Sequence, residues 1–192
     1  MIQNIIEKIN RGLEKTPYII AIDGQSASGK TMLAAELQRR CGGIVLHMDD
    51  FFLRPEQRTK ERLSEIGGNV DYERFSIVLE QARANESVFY QPYSCQTGSL
   101  MTPKLIEPAS PVIIEGAYSL HPNFGNYADL KIGLQIDSAL QKERILQRNG
   151  REKLVVFLEE WIPKENVYLE HFHIFKHCDM VISASSLSFD ND

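Results

Sequence analysis

The plainest chemistry in this chain lies in one short run, Gly24-Gln25-Ser26-Ala27-Ser28-Gly29-Lys30-Thr31. It fits the pattern G-x-x-x-x-G-K-[ST] at every fixed position. Glycine in such a loop lets the backbone turn and approach a ligand where a Cβ would stand in the way. The backbone N–H groups then converge on phosphate oxygens, aided by the N-terminus of the following helix. Lys30 brings a mobile positive charge to the outer phosphates, and Thr31 a hydroxyl able to ligate Mg2+. Gly24, Ser26, Ala27, Ser28, Gly29, Lys30 and Thr31 are therefore expected to bind a nucleoside triphosphate, ATP as its Mg2+ complex.

Transfer of a phosphoryl group needs a further acid, to hold or orient Mg2+ and to take the acceptor's proton. Two candidates end apolar runs: the pair Asp49-Asp50 and the single Glu115. Aspartate is also a common helix N-cap, a role that suits Asp50 better than Asp49. Arg144, Arg148 and Arg151 could spread positive charge over the group in flight. A guanine-reading Asn/Thr-Lys-x-Asp segment is missing, as is a Leu-Ser-Gly-Gly-Gln-like signature. That leaves a small-molecule kinase ahead of a GTPase or a transport ATPase.

Other chemistry-bearing residues point less far. His173 and His177 have the four-residue spacing of metal ligands on a helix, with His171 and Cys178 nearby, but no second pair completes a site. Ordinary helix histidines are expected. Cys95 reads as a small pocket or packing residue, with a reactive thiol as the alternative.

The elements that must position these residues follow from periodicity. Residues 2–15 repeat isoleucine and leucine at helical spacing. Apolar runs at 18–23, 43–48, 111–116, 130–136 and 180–183 predict buried strands. Helices are predicted after the loop, from Asp71 with Phe75, Val78, Leu79 and Ala82 on one face, and after Asp137. A face of Leu154, Phe157, Leu158 and Trp161 comes next, then a break at Pro163 and a last long helix from Val167 to Phe175. Residues 55–66 read as a solvated helix or loop, and 185–192 as a polar tail. Residues 86–107 form a hairpin-like excursion around a polar, aromatic loop. Alternating strands and helices predict an α/β fold with a central, mostly parallel sheet covered on both faces.

Length and composition suit this. A chain of 192 residues is enough for one domain with a full core. A net charge of −5 argues against a general nucleic-acid binder. Three widely spaced cysteines show no disulfide framework, which fits a reducing cytoplasm. Neither a signal peptide nor a membrane span is expected.

Five segments in register resemble one family. They are Gly24–Thr31, Met48-Asp49-Asp50-Phe51-Phe52, Val70-Asp71-Tyr72-Glu73-Arg74-Phe75, Ile114-Glu115-Gly116-Ala117-Tyr118-Ser119 and Arg144-Ile145-Leu146-Gln147-Arg148. Together they are similar to the uridine kinase and phosphoribulokinase family, its bacterial uridine kinase-like members most of all. The resemblance implies a three-layer P-loop NTPase fold in one domain over 1–192, with a lid near 148–165 and an acceptor-side hairpin near 86–107. It implies transfer from MgATP to a hydroxyl, with Asp49 as general base and Lys30 and Arg148 also in catalysis. Thr31, Asp49 and Glu115 would attend the metal, and Asp49, Phe52, Asp71, Arg74 and Tyr93 the acceptor. The implied partners are a nucleoside triphosphate and a small acceptor, not nucleic acid or membrane, with a homo-oligomer left open. Uridine or cytidine leads. Pantothenate, nicotinamide riboside, a phosphosugar, or a regulatory role without transfer are the alternatives. Three departures fall outside the donor half: Tyr93-Ser94-Cys95-Gln96-Thr97 lacks a family histidine, Phe52 stands in for an aromatic typical of the family's base pocket, and Trp161–Asn166 follows its own wording.

Overall fold

The structure is a computed structural model describing residues 1–187, so residues 188–192 of the expected polar tail lie outside the described residues. Helix α1 (Ile2–Gly12) buries Ile5, Ile6 and Ile9, the stripe its spacing predicts. It ends sooner than expected, at a glycine packed beneath the Tyr18 ring. Strand β1 (Ile19–Gly24) is buried throughout and feeds the glycine-rich loop into α2 (Lys30–Cys41). Strand β2 (Ile44–His47) opens into a 3-10 turn, Met48–Phe51. The charged stretch after it folds as a 3-10 turn, Pro55–Gln57, and a short α3 (Lys60–Ser64). Helix α4 (Tyr72–Arg83) starts where Asp71 predicts.

The excursion is a hairpin, as expected. Strands β3 (Val88–Tyr90), β4 (Tyr93–Ser94), β5 (Ser99–Leu100) and β6 (Lys104–Ile106) make two antiparallel pairs, β3 with β6 and β4 with β5. The chain then enters β7 (Val112–Glu115), β8 (Leu130–Gln135) and α5 (Ser138–Val156), which Asp137 caps through the N–H groups of Ala139 and Leu140. A π-turn, Phe157–Trp161, leads to α6 (Ile162–His171), and β9 (Met180–Ser183) closes the sheet.

The main sheet runs β2-β7-β1-β8-β9, every pair parallel. Alternate residues of its strands feed two separate cores. Ile19, Ala21, Leu46, Val112 and Ile114 pack with α4, Phe51, Tyr90 and Tyr168 on one face. Ile20, Ile22, Ile113, Ile132 and Leu134 pack with α1 and α2 on the other. That is the three-layer α/β sandwich the sequence predicts. No helix among the described residues is long and apolar enough to cross a membrane.

Two expectations need correcting. Pro163 does not break the chain: it lies in the first turn of α6, where its missing N–H does little harm. The π-turn before it absorbs the local mismatch, so one helical path runs from beyond Gly150 to His171. The last helix also ends before Phe175. His173 takes a left-handed conformation (φ 50°), which turns Ile174 into the core. His173 and His177 therefore share no helical face, and among the described residues no cluster of His, Cys, Asp and Glu could hold a metal on its own.

Candidate active site

The strand order sets the site. Because β7 lies between β2 and β1, the C-terminal ends of all three meet at one edge. In open α/β sheets that edge is where ligands bind. Glu115 is in register with both His47 and Ile22. Close packing tightens the junction: a Cβ on Gly116, whose φ is 141°, would sit 2.6 Å from the Met48 Cβ. Only glycine lets the ends of β2 and β7 approach this closely.

The phosphate-loop pattern is a preformed cradle. A Cβ on Gly24 (φ 143°) would meet the Leu134 carbonyl oxygen at 2.1 Å, so the loop leaves the sheet at the one residue type that fits. Ala27 holds a left-handed conformation (φ 62°), the stored strain expected of a binding loop rather than a plain turn. The Ser28 hydroxyl is buried and has no hydrogen-bond partner among the described residues. Lys30 Nζ donates to the carbonyls of Gly24 and Gln25, each at 2.9 Å, and lies folded over the loop. These features fit a bound polyphosphate.

Helices α5 and α6 pin the loop from outside. Gln141 donates to the Ser26 carbonyl at 3.0 Å and Arg144 to that of Ala27 at 3.1 Å. Of the three candidate arginines, Arg144 is thus the one seated on the loop. Arg148 and Arg151 are exposed, Arg148 donating to Asn149 at 2.8 Å. From α6, the buried Glu165 accepts from the Ser26 N–H at 2.8 Å and from its hydroxyl, and Asn166 accepts from Gln25 at 3.2 Å. Tyr168 donates to Asp23 at 2.6 Å. Burial raises Asp23 above the ordinary carboxylate value, against bonds from Tyr168 and the Leu120 N–H. Burial likewise raises Glu165, with Lys30 and Ser26 pulling the other way.

The acids fall where the strands deliver them. Glu115 is buried and accepts from the Thr31 hydroxyl at 3.1 Å and binds His47 Nδ1 at 2.6 Å. The bond to Glu115 raises His47 above its usual value, outweighing desolvation. Asp49 stands beside this pair, in the 3-10 turn, with no hydrogen bond or ion pair among the described residues. Its surface opens to water, yet crowding by the crevice, then the charge of Glu115, raises its carboxyl, while Lys30 pulls it down. Neither Asp49 nor Asp50 caps a helix. Asp50 instead ties the turn to the hairpin, accepting from Tyr90 Oη at 2.9 Å and Lys104 at 3.2 Å.

The expected acceptor residues form a framework around Asp49. Asp71 is fully buried, caps α4 through the Arg74 N–H at 3.1 Å and pairs with Arg74 Nε at 2.9 Å. Burial alone would raise it, but the Arg74 bonds overcome this and hold it below its ordinary value. Arg74 reaches on to the carbonyls of Asp50, Phe52 and Gln91, joining three segments. Tyr93 is buried and accepts from Arg58 at 3.1 Å. Cys95 is exposed, and crowding, then the Asp49 charge, raises its thiol, the reverse of what an activated nucleophile needs. Phe52 lies 6.2 Å from Trp161, ring centre to ring centre.

Several of these residues escaped the sequence reading. Asp23 was visible as a charge ending an apolar strand just before Gly24, and His47 as a polar residue ending another. Glu165 had no such signal, being one of several acids on a charged helix.

Thr31, Asp49 and Glu115 offer hard oxygen donors, a hydroxyl and two carboxylates, which suits Mg2+ binding shared with substrate phosphates. They fit the metal without forming a closed protein cage.

The chain is similar to known proteins. The model of the phosphoribulokinase / uridine kinase family matches residues 19–155. A uridine kinase of Saccharomyces cerevisiae is 31% identical over 193 residues, which span 89% of this chain but 38% of that protein. A uridine kinase of Lactobacillus helveticus is 27% identical over 153 residues, 73% of this chain and 71% of that one. A crystal structure described as a possible uridine kinase from Bacillus stearothermophilus shares the fold, with a TM-score of 0.71 at 22% identity, over 94% of this chain and 96% of that one. The family model spans most of the fold, from β1 into α5, and the chain belongs to the phosphoribulokinase / uridine kinase family.

Proposed function

We propose that this protein is an ATP-dependent small-molecule kinase that moves the γ-phosphoryl group of MgATP to a hydroxyl, with uridine or cytidine as the leading acceptor. The observation that carries the reading is Asp49. It is an unbonded carboxylate at the same sheet edge as the loop lysine and the Thr31–Glu115 pair. A loop that only binds nucleotide has no need of it.

In this reading the loop N–H groups and Lys30 hold the phosphates of ATP. Thr31, Glu115 and Asp49 would hold Mg2+, which when bound neutralises charge on the phosphates. Asp49 takes the proton from the acceptor hydroxyl as its oxygen attacks the γ-phosphorus, and the bond to the ADP oxygen breaks in line. With no hydrogen bond or ion pair among the described residues, the Asp49 carboxylate is free to turn toward that hydroxyl. Residues 148–165 act as a lid, bringing Arg148 toward the transferring group, while Arg144 steadies the loop. Asp71, Arg74 and Tyr93 shape the acceptor side, and Phe52 contributes its ring.

The test is a screen for acceptor-stimulated conversion of ATP to ADP, with nucleosides, pantothenate, nicotinamide riboside and phosphosugars. A nucleoside is expected to stimulate. No stimulation by any of them would replace the kinase with a nucleotide-dependent regulatory protein.

A further inference from the structure

We propose that Gln141 is a positioning residue for phosphate binding: by holding the Ser26 carbonyl from outside, it aims the Ala27 N–H into the phosphate cradle. The inference rests on the reading of the loop as a triphosphate site and extends it to a residue far along the chain.

A peptide unit is flat, and in its trans form the C=O and the following N–H point in opposite directions. A bond to one therefore fixes where the other faces. The 26–27 peptide is trans and gives its carbonyl to Gln141 Nε2 at 3.0 Å. The Ala27 N–H must then face away from α5, and it has no hydrogen-bond partner among the described residues. The donors on either side are already bonded. The Ser26 N–H goes to Glu165 at 2.8 Å and the Ser28 N–H to the Gln25 carbonyl at 3.2 Å. Of these three successive N–H groups, that of Ala27 alone is open to a phosphate oxygen.

This aim needs a holder. Ala27 sits at φ 62°, a conformation costly for a residue with a Cβ. Turning the 26–27 peptide over would relieve that strain, but it would put a carbonyl where the anion belongs. Gln141 stands against the turn. It is only 2% exposed, and its side chain makes one hydrogen bond among the described residues, the one to Ser26. Burying an amide is unfavourable unless it is bonded, so this bond holds both partners in place. The helix start behind Gln141 is itself fixed. Asp137 caps it, the Gln141 N–H donates to the Asp137 carbonyl at 2.8 Å, and the Ile136 N–H donates to Gln25 Oε1 at 3.1 Å.

Arg144 does a different job one peptide further on. Its bond to the Ala27 carbonyl at 3.1 Å holds the 27–28 plane, whose N–H is already bonded within the loop. Arg144 therefore closes the turn, whereas Gln141 sets the open donor.

The test follows single loop amides by NMR in the isotope-labelled full chain, titrated with Mg2+ and a non-hydrolysable ATP analogue. In wild type the Ala27 amide should move downfield on binding, with those of Lys30 and Thr31. Gln141→Met keeps the side chain's length and removes the donor. At saturation it should abolish the Ala27 shift and spare those of Lys30 and Thr31. The analogue should bind about tenfold more weakly, the scale of one hydrogen bond. KM for the acceptor should not change. Gln141→Glu only accepts at neutral pH; it should show the same selective loss, and it carries the test if the methionine variant does not fold. An Ala27 shift that survives in the folded variants would overturn the role of Gln141 and leave the kinase standing. Equal loss of every loop shift would overturn it too, since packing alone would explain that. Selective loss at Ala27 in a protein that phosphorylates no acceptor would support the positioning role and remove the kinase.

Discussion

Glu165 holds Ser26 by both of that residue's donors, accepting from its N–H at 2.8 Å and from its hydroxyl. Asn166 and Tyr168 extend the contact to Gln25 and Asp23, so α6 grips the loop and the strand before it along one line. The Ser26 N–H is therefore already bonded before any phosphate arrives. We propose that Ser26, besides its expected part in binding nucleotide, shapes the loop for its neighbours.

Glu165→Ala strips both Ser26 donors of their partner, a loss of order 1–3 kcal/mol for buried groups. KM for ATP should rise roughly tenfold, with kcat less affected. Glu165→Gln retains an acceptor for the N–H and a partner for the hydroxyl, and should restore most of the affinity. Steady-state kinetics with ATP varied decide it. Tighter ATP binding by the alanine variant would show instead that the carboxylate competes with phosphate.

Asp49→Asn should lower kcat by about 10²–10⁴, the usual contribution of a positioned base. Binding of a fluorescent ATP analogue should change little. The base must be deprotonated to act, and its folded pKa is raised, so activity should fall with an acid limb above pH 3.8. A profile flat down to that value would remove Asp49 from the role.

Asp71→Ala removes both the cap of α4 and the buried partner of Arg74. Loss of one member of such a pair costs about 3 kcal/mol. Its folded pKa is depressed, so its stabilisation is present above pH 3.8 and lost as pH falls through the lower folded value. Urea unfolding at neutral and acid pH should show a variant–wild-type gap that narrows toward acid.

His47 has the opposite sign. Its folded pKa is raised by Glu115, so the stability it adds is full below pH 6.5 and fades as pH rises through the raised value. His47→Gln in metal-free buffer should lower Tm most at about pH 6 and least at about pH 9. An equal gap at both would mean the imidazole acts by packing alone.

The strand, glycine-rich loop and helix from Ile19 to Cys41 were legible because their rules are local. The loop from Gly24 to Thr31 is set by backbone angles and sequence spacing, and Asp71 and Asp137 start helices by side-chain reach of a few residues. The five strands of the main sheet were legible as apolar runs. What stayed hidden depends on contacts between distant segments. Glu165 meets Ser26 across most of the chain, and nothing in a charged helix marks one acid as buried. Pro163 misled for a related reason: its cost depends on where in a helix it falls, and a π-turn upstream cannot be read from periodicity. The choice of Arg144 over Arg148 as the loop's neighbour likewise needed the path of α5 in space.

The two cores on opposite faces of the sheet have a consequence for how this protein can change. Ile20, Ile22 and Leu33 sit under the phosphate loop in one of them. Phe51, Val70, Tyr72, Phe75 and Tyr90, which back the proposed acceptor side, sit in the other. A single layer of strands insulates the two. On the proposed function, substitutions around Phe75 and Tyr90 would redraw the acceptor side with less effect on the phosphate loop, which meets this core through Tyr168 and Asp23. The phosphate loop therefore says least about the acceptor, whose proposed side lies against the other core.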